Sequence, residues 1–384
     1  MSQKLPSISK TVINASKFSA PFGQRFGPGG RHSVSGIRAT VFGAYGFMGR
    51  YICNELGSRG SLCFIPYRGC EWEVRHIRQM FDHGQLGLMP FSPRDEESVY
   101  NAVKNSDIVI NLIGKDYETE HLVSSVRPDG SRSRVNYSFE DTNVEVARTI
   151  ARISKEAGVK GLVHVSAMAA DLNSESEWSR TKAQGEHAVR AEFPEAIIVR
   201  PSTVFGPEDK FLNLVGAATE HLPFLPMVNG GRNRVQPVHV NDVGTALNRI
   251  INGYANLEGE TFVLAGPEEY TYREIVEFVM DLTGNHTSMV DVPTPFISGF
   301  AGLYEKWVQP VFTADLVKRM SEDNVFLPYD NLRTFADLGI VPGSMEEHAF
   351  DYMHRFRQGG HFKMVEGYYA TDADRLRRDS MSTY

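Results

Sequence analysis

Three glycines near the N-terminus, Gly43, Gly46 and Gly49, are evenly spaced and follow directly on the apolar residues 37–42. At this spacing the first glycine allows a tight turn, and the second lets backbone N–H groups approach a pyrophosphate. The third lets the next helix pack closely on its strand. The N-terminus of that helix offers unpaired N–H donors and the positive end of its dipole. Because the triplet follows a strand and opens a helix, it predicts a dinucleotide site.

The residue after the second predicted strand bears on which nucleotide binds. Residues 62–67 form that strand, and Arg68 follows it. An NAD binder places Asp or Glu here to accept from the ribose hydroxyls, whereas Arg can hold a ribose 2′-phosphate with two N–H groups. The alternative is an ordinary surface arginine at a strand end. Arg68 therefore favours NADP(H), with NADPH as the predicted cofactor.

A second chemical pattern lies downstream, where Trp178 stands four positions before Lys182. Folds of this kind usually carry Tyr at the first position. Its hydroxyl gives or takes the substrate proton, the Lys lowers its pKa, and a Ser orients the carbonyl. Ser166 and Lys182 are present, but Trp has no titratable proton, and losing the acid would cost roughly 10²–10⁴ in rate. Tyr137 or Tyr254 could substitute from a loop, although no pattern points to either. No catalytic residue is therefore predicted.

Strands and helices alternate at a spacing that predicts an α/β protein with a Rossmann-type, doubly wound parallel sheet and a smaller C-terminal lobe. Residues 115–138, which include Pro128 and Gly130, are predicted to be an irregular loop. Predicted strands cover residues 37–42, 62–67, 86–91, 107–114, 161–167 and 196–200. Predicted helices cover residues 50–58, 71–81, 95–104, 140–157, 181–192 and 272–283.

Four parts are predicted along the chain. Residues 1–35 form an N-terminal arm, and residues 36–290 form the nucleotide-binding domain with parts of the small lobe. Residues 291–358 form the small C-terminal lobe, and residues 359–384 a polar tail. No Asp or Glu precedes Glu55, and the arm is rich in Ser and basic residues. This composition is typical of a mitochondrial or plastid transit segment, with a disordered basic tail as the alternative.

Composition restricts the function classes. The formal net charge of -7 argues against a general nucleic-acid binder. The cysteines Cys53, Cys63 and Cys70 form no Cys-x-x-Cys pair and have no neighbouring His cluster, so no metal site is predicted. No run of about 18 apolar residues exists, so no membrane span is predicted. Residues 293–312 are rich in Pro and aromatics at helical spacing, which suits either a core helix or a docking surface.

The chain resembles the extended short-chain dehydrogenases and, more narrowly, the NADPH-binding accessory subunits of mitochondrial complex I. The glycine turn and residues 107–114, 200–207 and 236–243 carry the broader resemblance. Residues 65–69, 110–119, 208–213 and 312–320 are closer to the accessory subunits than to active enzymes. The resemblance runs from about Gly29 to about Ile340. It departs from the family at Trp178, where some members keep Tyr, and in the longer segment after Thr119.

The resemblance also implies the cofactor contacts. The glycine turn and its backbone would bind pyrophosphate, Arg68 the 2′-phosphate, and Lys182 the nicotinamide ribose. Other residues would line the adenine side, lie beneath the nicotinamide, or close the far wall. The full set is Gly43, Tyr45, Gly46, Phe47, Met48, Arg68, Leu112, Ile113, Gly114, Val165, Ser166, Lys182, Pro201, Ser202, Thr203 and Val204.

Three functions remain open at this point. The first is a non-catalytic complex I subunit on the matrix side of the mitochondrial inner membrane. It would hold a structural NADPH, contact other subunits of the peripheral arm near the membrane and contact inner-membrane lipid. The second is a soluble NADP-dependent short-chain reductase or epimerase with an unusual acid. The third is a redox-sensing or RNA-associated module on the same fold.

Overall fold

The computed structural model describes residues 24–126, 132–304, 312–327 and 332–357. Its strands are β1 Arg38–Phe42, β2 Leu62–Tyr67, β3 Leu86–Pro90, β4 Ile108–Asn111, β5 Thr119–Val126, β6 Arg132–Tyr137, β7 Gly161–Val165, β8 Ile197–Pro201, β9 Val204–Phe205, β10 Phe224–Val228, β11 Arg234–Val235, β12 Val238–His239, β13 Thr261–Leu264, β14 Tyr270–Thr271 and β15 Ser288–Val292. Its α-helices are α1 Phe47–Ser58, α2 Glu71–Val74, α3 Glu96–Val103, α4 Val146–Glu156, α5 Glu177–Glu192, α6 Leu212–His221, α7 Val240–Asn252, α8 Tyr272–Thr283, α9 Thr294–Tyr304, α10 Ala314–Met320 and α11 Met345–Met353.

Seven parallel strands form the central sheet in the order β13-β8-β7-β4-β1-β2-β3. The chain starts in the middle with β1, builds outward through β2 and β3, and then crosses back to β4. The strand order therefore reverses between β1 and β4, which is where doubly wound sheets open a crevice for ligands. The predicted fold class is confirmed.

Helices cover both faces of this sheet, as an apolar parallel sheet requires. On one face Ile52 of α1 and Leu247 of α7 belong to a single buried cluster with the sheet. On the other face Val99 of α3, Ile150 of α4 and Val189 of α5 form a second buried cluster. The two layers fix the carboxyl ends of the strands, which carry the candidate site.

A smaller body, which we call the peripheral body, contains α6, β10, α8, β15, α9, α10 and α11. Its buried side chains include Ile275 and Val279 of α8 and Tyr352 and Met353 of α11. Both helices begin at capping boxes, in which an N-cap hydroxyl and a glutamate three residues later satisfy each other's backbone N–H groups.

The prediction of an irregular loop over residues 115–138 is wrong. The backbone instead forms an antiparallel hairpin of β5 and β6, with register shifts between Thr119 and Ser125. The two strands pair with each other and do not join the central sheet. The sequence contains Pro128-Asp129-Gly130, a typical turn signal, between two stretches that hold valines, and this was the missed indication of a hairpin.

Several predicted helices differ in where they begin or in their type. Helix α1 begins at Phe47 and α5 at Glu177, earlier than predicted, and the Ser176 hydroxyl accepts the hydrogen bond of the Ser179 N–H at the start of α5. Residues 71–81 are only briefly α-helical and continue as a 3-10 helix over Arg75–Met80. The segment Asp141–Glu145 is a π-helical turn that leads into α4. Local propensity does not reveal such transitions, because packing decides them.

Residues 24–35 fold back onto the central domain. Phe26 and Val34 pair in an antiparallel bridge, and the Ser35 N–H donates to the Gly60 carbonyl oxygen at 3.1 Å. Gly60 has φ +74, and a Cβ there would lie 1.7 Å from the Ser33 carbonyl oxygen, so only glycine fits. The Arg25 guanidinium donates to the Asn252 side chain at 3.0 Å.

In the part of the chain that the structure describes, no helix is both long and apolar enough to cross a bilayer. The same residues contain no group of three or more His, Cys, Asp or Glu side chains that could hold a metal ion. Cys53 and Cys63 are buried and Cys70 is exposed, each as a free thiol.

Candidate nucleotide site

The glycine turn has the geometry that a pyrophosphate requires. Gly43 has φ +79, and a Cβ there would lie 3.1 Å from the backbone of Leu112. A Cβ at Gly49 would lie 2.5 Å from the carbonyl oxygens of Gly43 and Ala44, so a larger residue would push α1 away from the turn. Gly46 is the N-cap of α1, without a side-chain cap or an acid in the first turn. The first N–H groups of α1 are therefore available to an anion.

The predicted site residues lie at the carboxyl ends of neighbouring strands or at the helix that follows. Tyr45, Phe47 and Met48 surround the start of α1, and the Phe47 ring lies against Gly206 after β9. Of the other predicted residues, Arg68 follows β2, and Leu112, Ile113 and Gly114 follow β4. Val165 ends β7, Ser166 follows it, and Lys182 lies in α5. Pro201 ends β8, Ser202 and Thr203 follow it, and Val204 begins β9. This places the sixteen residues along one edge of the sheet, around the point where the strand order reverses.

Lysine side chains add positive charge near Arg68. In the described chain no carboxylate forms an ion pair with Arg68, and its Cζ lies 5.0 Å from the centre of the Tyr137 ring. Burial lowers the pKa of Lys115, and the charges of Arg68 and Lys210 lower it further. Of these cations, Lys210 lies 3.7 Å from Asp116. This local excess of positive charge suits a phosphate more than a ribose hydroxyl.

Buried polar atoms line the other half of the site. The side-chain oxygens of Ser166 and Ser202 and the Oδ1 of Asn143 have no hydrogen-bond partner among the described residues. Lys182 is only 6% exposed, and its Nζ would lie 2.8 Å from a Cβ at Gly114, so glycine there leaves room for the amine. Burial lowers the pKa of Lys182 to about 8, although the charges of Asp116 and Glu186 oppose this shift. Buried polar groups are rarely left without partners, so this wall fits a polar ligand.

An indole stands where an active enzyme would place a phenol. The Trp178 Nε1 donates to the backbone carbonyl oxygen of Lys115 at 2.8 Å. The Arg319 guanidinium of α10 lies over the indole at 4.2 Å, and the Lys182 Nζ lies 5.7 Å from the same ring. In the part of the chain with described side chains, Arg319 forms no ion pair, and its buried Nε has no partner.

The peripheral body is held against this position by α10 and the residues after it. The Ser176 hydroxyl and the Glu177 N–H both donate to the Asp315 carboxylate, at 2.7 and 2.8 Å. The Ser174 hydroxyl donates to Glu322 at 2.9 Å. These bonds fix Arg319 above Trp178 at the start of α5. Sequence reasoning gave Arg319 no role, because nothing local indicates that α10 returns to α5.

Tyr254, considered as a substitute acid, lies elsewhere. It is 1% exposed, donates to the Glu195 carbonyl oxygen at 2.7 Å, and accepts from the Leu162 N–H. Tyr137 lies beside Arg68 at the other half of the site. Asn143, in the π-helical turn, was missed by sequence reasoning; its Nδ2 donates to the hydroxyl of Thr181 in α5 at 3.0 Å.

Comparison with known proteins identifies the family. Residues 39–265 match the model of the NAD dependent epimerase/dehydratase family. A mouse protein, NADH dehydrogenase (ubiquinone) 1 alpha subcomplex subunit 9, mitochondrial, is 40% identical over 341 residues, which cover 86% of this chain and 83% of that protein. The chain belongs to the alpha subcomplex subunit 9 branch of the epimerase/dehydratase family.

Relatives from other kingdoms belong to the same branch. The Arabidopsis thaliana protein of the same name is 36% identical over 346 residues, covering 88% of this chain and 82% of that protein. The Neurospora crassa NADH-ubiquinone oxidoreductase 40 kDa subunit, mitochondrial, is 38% identical over 339 residues, covering 88% of this chain and 84% of that protein.

Solved structures share the fold at low identity. An NADPH-dependent quinone oxidoreductase from Escherichia coli superposes with a TM-score of 0.60 at 16% identity, over 83% of this chain and all of that one. The dTDP-glucose 4,6-dehydratase DesIV of Streptomyces venezuelae, with NAD and TYD bound, has a TM-score of 0.58 at 18% identity, over 83% of this chain and 96% of that one. Membership of the epimerase/dehydratase family, together with the glycine turn, the unpaired Arg68 and the buried polar wall, fits a nicotinamide dinucleotide.

Proposed function

We propose that this chain is an accessory subunit of mitochondrial NADH:ubiquinone oxidoreductase, complex I, and that it holds NADPH without turning it over. The observation that carries the proposal is the family assignment, since relatives named as subunits of this enzyme match over more than four fifths of both chains. The site geometry supports the non-catalytic part.

The nucleotide choice rests on Arg68. Its guanidinium has no acidic partner in the described residues and lies near Lys115 at the end of β2, where the ribose 2′-substituent is expected. The glycine turn and the first N–H groups of α1 would hold the pyrophosphate. Lys182 and the unpaired oxygens of Ser166 and Ser202 would bind the nicotinamide half.

The lack of turnover rests on Trp178. NADPH, when bound, supplies a hydride, and a carbonyl acceptor then needs a proton from a positioned acid. The indole of Trp178 cannot give one, and its N–H is already bonded to Lys115. Arg319 covers the ring from the peripheral body. NADPH would then stabilise the fold by linkage, because only the folded chain offers the site.

The place in the cell follows from the same proposal. The chain would reside in mitochondria, on the matrix side of the inner membrane, in the peripheral arm near the membrane arm. An apolar face supports contact with other subunits or lipid at that position. On α9, Phe296 and Phe300 are 74% and 70% exposed, while Ile297 and Ala301, each one position further along and so on an adjoining face of the helix, are buried.

The deciding experiment is native-gel fractionation of mitochondria, followed by identification of this chain and extraction of its nucleotide. Migration with a very large membrane complex, and release of NADP(H), are expected. A free soluble pool that reduces carbonyl compounds would instead support a soluble NADP-dependent reductase or epimerase and would contradict the proposal.

A further inference from the structure

Tyr137 ends the hairpin directly opposite Thr119, where the hairpin begins. The chain leaves the central sheet after β4 and returns at Tyr137, yet the Tyr137 ring contacts residues that follow β2 and β3. The Arg68 Cζ lies 5.0 Å from the ring centre, and the Arg94 Cζ lies 4.3 Å from it. In the strand order β4-β1-β2-β3, both arginines follow strands that lie on the far side of β1 from β4, so the Tyr137 ring lies among side chains from that part of the sheet.

Tyr137 is therefore close to the place where the proposed nucleotide would put its 2′-phosphate. The glycine turn follows β1 and Arg68 follows β2, so Tyr137 lies beside the expected 2′-phosphate. A cavity of about 170 Å³ also adjoins the ring, but its walls include Glu96, Asp141 and Glu145 and none of the sixteen predicted nucleotide contacts, so it is not the nucleotide crevice. Tyr137 is half-buried, although it stands at the end of a hairpin that does not join the sheet.

Hydrogen bonds of the residues next to Tyr137 fix its position. The Arg94 guanidinium donates to the carbonyl oxygen of Asn136 and lies 3.7 Å from the Asp141 carboxylate. The Ser138 N–H donates to Asp141 at 3.2 Å, and the Asp141 N–H donates to the Ser138 hydroxyl at 3.0 Å. Arg94 therefore has a nearby carboxylate and a backbone partner, whereas Arg68, among the residues whose side chains are described, contacts only the ring.

The contact with the Tyr137 ring leaves the N–H groups of Arg68 able to donate hydrogen bonds to a ligand. A guanidinium packs on an aromatic ring through its flat face, while its N–H groups point outward in the guanidinium plane and remain able to donate. A phosphate is recognised by those N–H groups, two at a time. The ring thus orders a flexible side chain without competing for its hydrogen bonds, which lowers the entropy cost of binding.

We propose that Tyr137 is a positioning residue for the nucleotide, holding Arg68 at the ribose 2′-phosphate. This rests on the proposed function, in that the site must hold NADPH. It makes the hairpin a determinant of nucleotide retention and of the preference for NADPH over NADH.

The test measures release of NADPH, by its fluorescence, from the purified full-length protein. Tyr137→Ala should release NADPH roughly 3- to 30-fold faster than wild type, the factor expected for losing one cation–π contact. Tyr137→Phe keeps the ring and should release it at the wild-type rate. The matched control is Tyr100→Ala, which removes a 45% exposed tyrosine on α3.

Two further readouts separate positioning from general destabilisation. The preference for NADPH over NADH should fall in Tyr137→Ala, because only NADPH has the phosphate that Arg68 binds. In an Arg68→Ala background, Tyr137→Ala should have little additional effect on NADPH release, since the two residues act together. If Tyr137→Ala does not fold, Tyr137→Leu, which keeps apolar volume without a ring, is expected to give the same results.

The outcomes test the role of Tyr137 separately from the proposed function. Wild-type protein that retains no NADP(H) would contradict the proposed function. Wild-type protein that retains NADPH, with Tyr137→Ala releasing it no faster, would overturn only the role of Tyr137. The role of Tyr137 would also be overturned if Tyr137→Ala lowered the affinities for NADPH and NADH equally, and did so to the same extent in the Arg68→Ala background.

Discussion

The indole N–H of Trp178 donates to the backbone carbonyl oxygen of Lys115 across 2.8 Å. The bond joins the first turn of α5 to the segment after β4, and both elements border the proposed nucleotide site. It uses the only polar hydrogen that the side chain has. A tyrosine at this position would have a titratable proton, whereas the tryptophan uses its single N–H in a hydrogen bond to the backbone.

Nucleotide choice is expected to depend on Arg68. Denatured wild-type protein should release NADP(H) rather than NAD(H). Arg68→Asp should lower NADPH retention at least tenfold, because a carboxylate replaces a charge-assisted hydrogen bond with repulsion of the 2′-phosphate. Quantifying the extracted nucleotide checks both statements. Arg232→Asp makes the same charge change at an exposed residue away from the site and should have no effect. Recovery of mostly NAD(H) from wild type would contradict the assignment.

Bound NADPH is expected to stay reduced when carbonyl compounds are offered. The positioned acid is absent at Trp178, and Arg319 covers the ring. Absorbance at the NADPH maximum should therefore remain constant in the isolated protein. Trp178→Tyr need not restore turnover, because α10 still occupies the position above the ring. Steady oxidation by the wild-type protein would show that a different group supplies the proton.

The exposed aromatics of α9 are expected to serve assembly rather than folding. Replacing Phe296 and Phe300 with Ser should reduce incorporation into the large complex, while the isolated protein keeps its melting temperature and its NADPH. Two control variants distinguish an effect on assembly from an effect on folding. Trp72→Ser, at a residue 73% exposed, should leave incorporation unchanged, and Ile297→Ser, at a buried residue, should lower the melting temperature. Unfolding of the double variant would instead place both rings in the core. Trp307, which belongs to the same aromatic stretch, lies outside the described residues.

Stability is expected to fall in mild acid because two histidines are buried in neutral form. Burial, with a further effect of the His348 charge, lowers the pKa of His239 to about 4, and burial lowers that of His164 to about 3. In the unfolded chain both return toward 6.5, so between about pH 6.5 and 4 the unfolded state binds protons that the folded state excludes. The free energy of unfolding should then decrease as pH falls through this window.

Urea unfolding from about pH 7 down to about pH 4.5 measures this slope. His239→Leu should make it shallower, and His187→Leu, at an exposed histidine, should leave it as in wild type. A slope that His239→Leu does not change would show that other groups, such as paired carboxylates, account for the acid sensitivity.

Much of the central domain was predictable because its signals are local. The apolar runs of β1, β2 and β4 and the glycines of the turn each specify their own conformation, and the predicted strand at residues 62–67 has the observed bounds. The predicted helix at residues 272–283 also has the observed bounds, since a capping box and Gly284 mark its ends.

The rest depends on contacts between distant parts of the chain. Arg319 reaches Trp178 only because Asp315 and Glu322 bond to the residues before α5, and no local pattern encodes that meeting. The contact of Tyr137 with Arg68 likewise joins the residue before α4 to the residue after β2, which are 69 positions apart in the sequence. The division into four parts along the chain stays a prediction, as do the individual nucleotide contacts.

The folded-back residues 24–35 have a consequence for protein import. If a presequence is removed on entry into mitochondria, cutting beyond Arg25 would discard the partner of Asn252 and then the Phe26–Val34 bridge. It would also uncover the turn at Gly60 that Ser33 and Ser35 cover. The processing protease should therefore act upstream of Arg25. Sequencing the N-terminus of the mature protein would then show whether the fold restricts where the presequence can be cut.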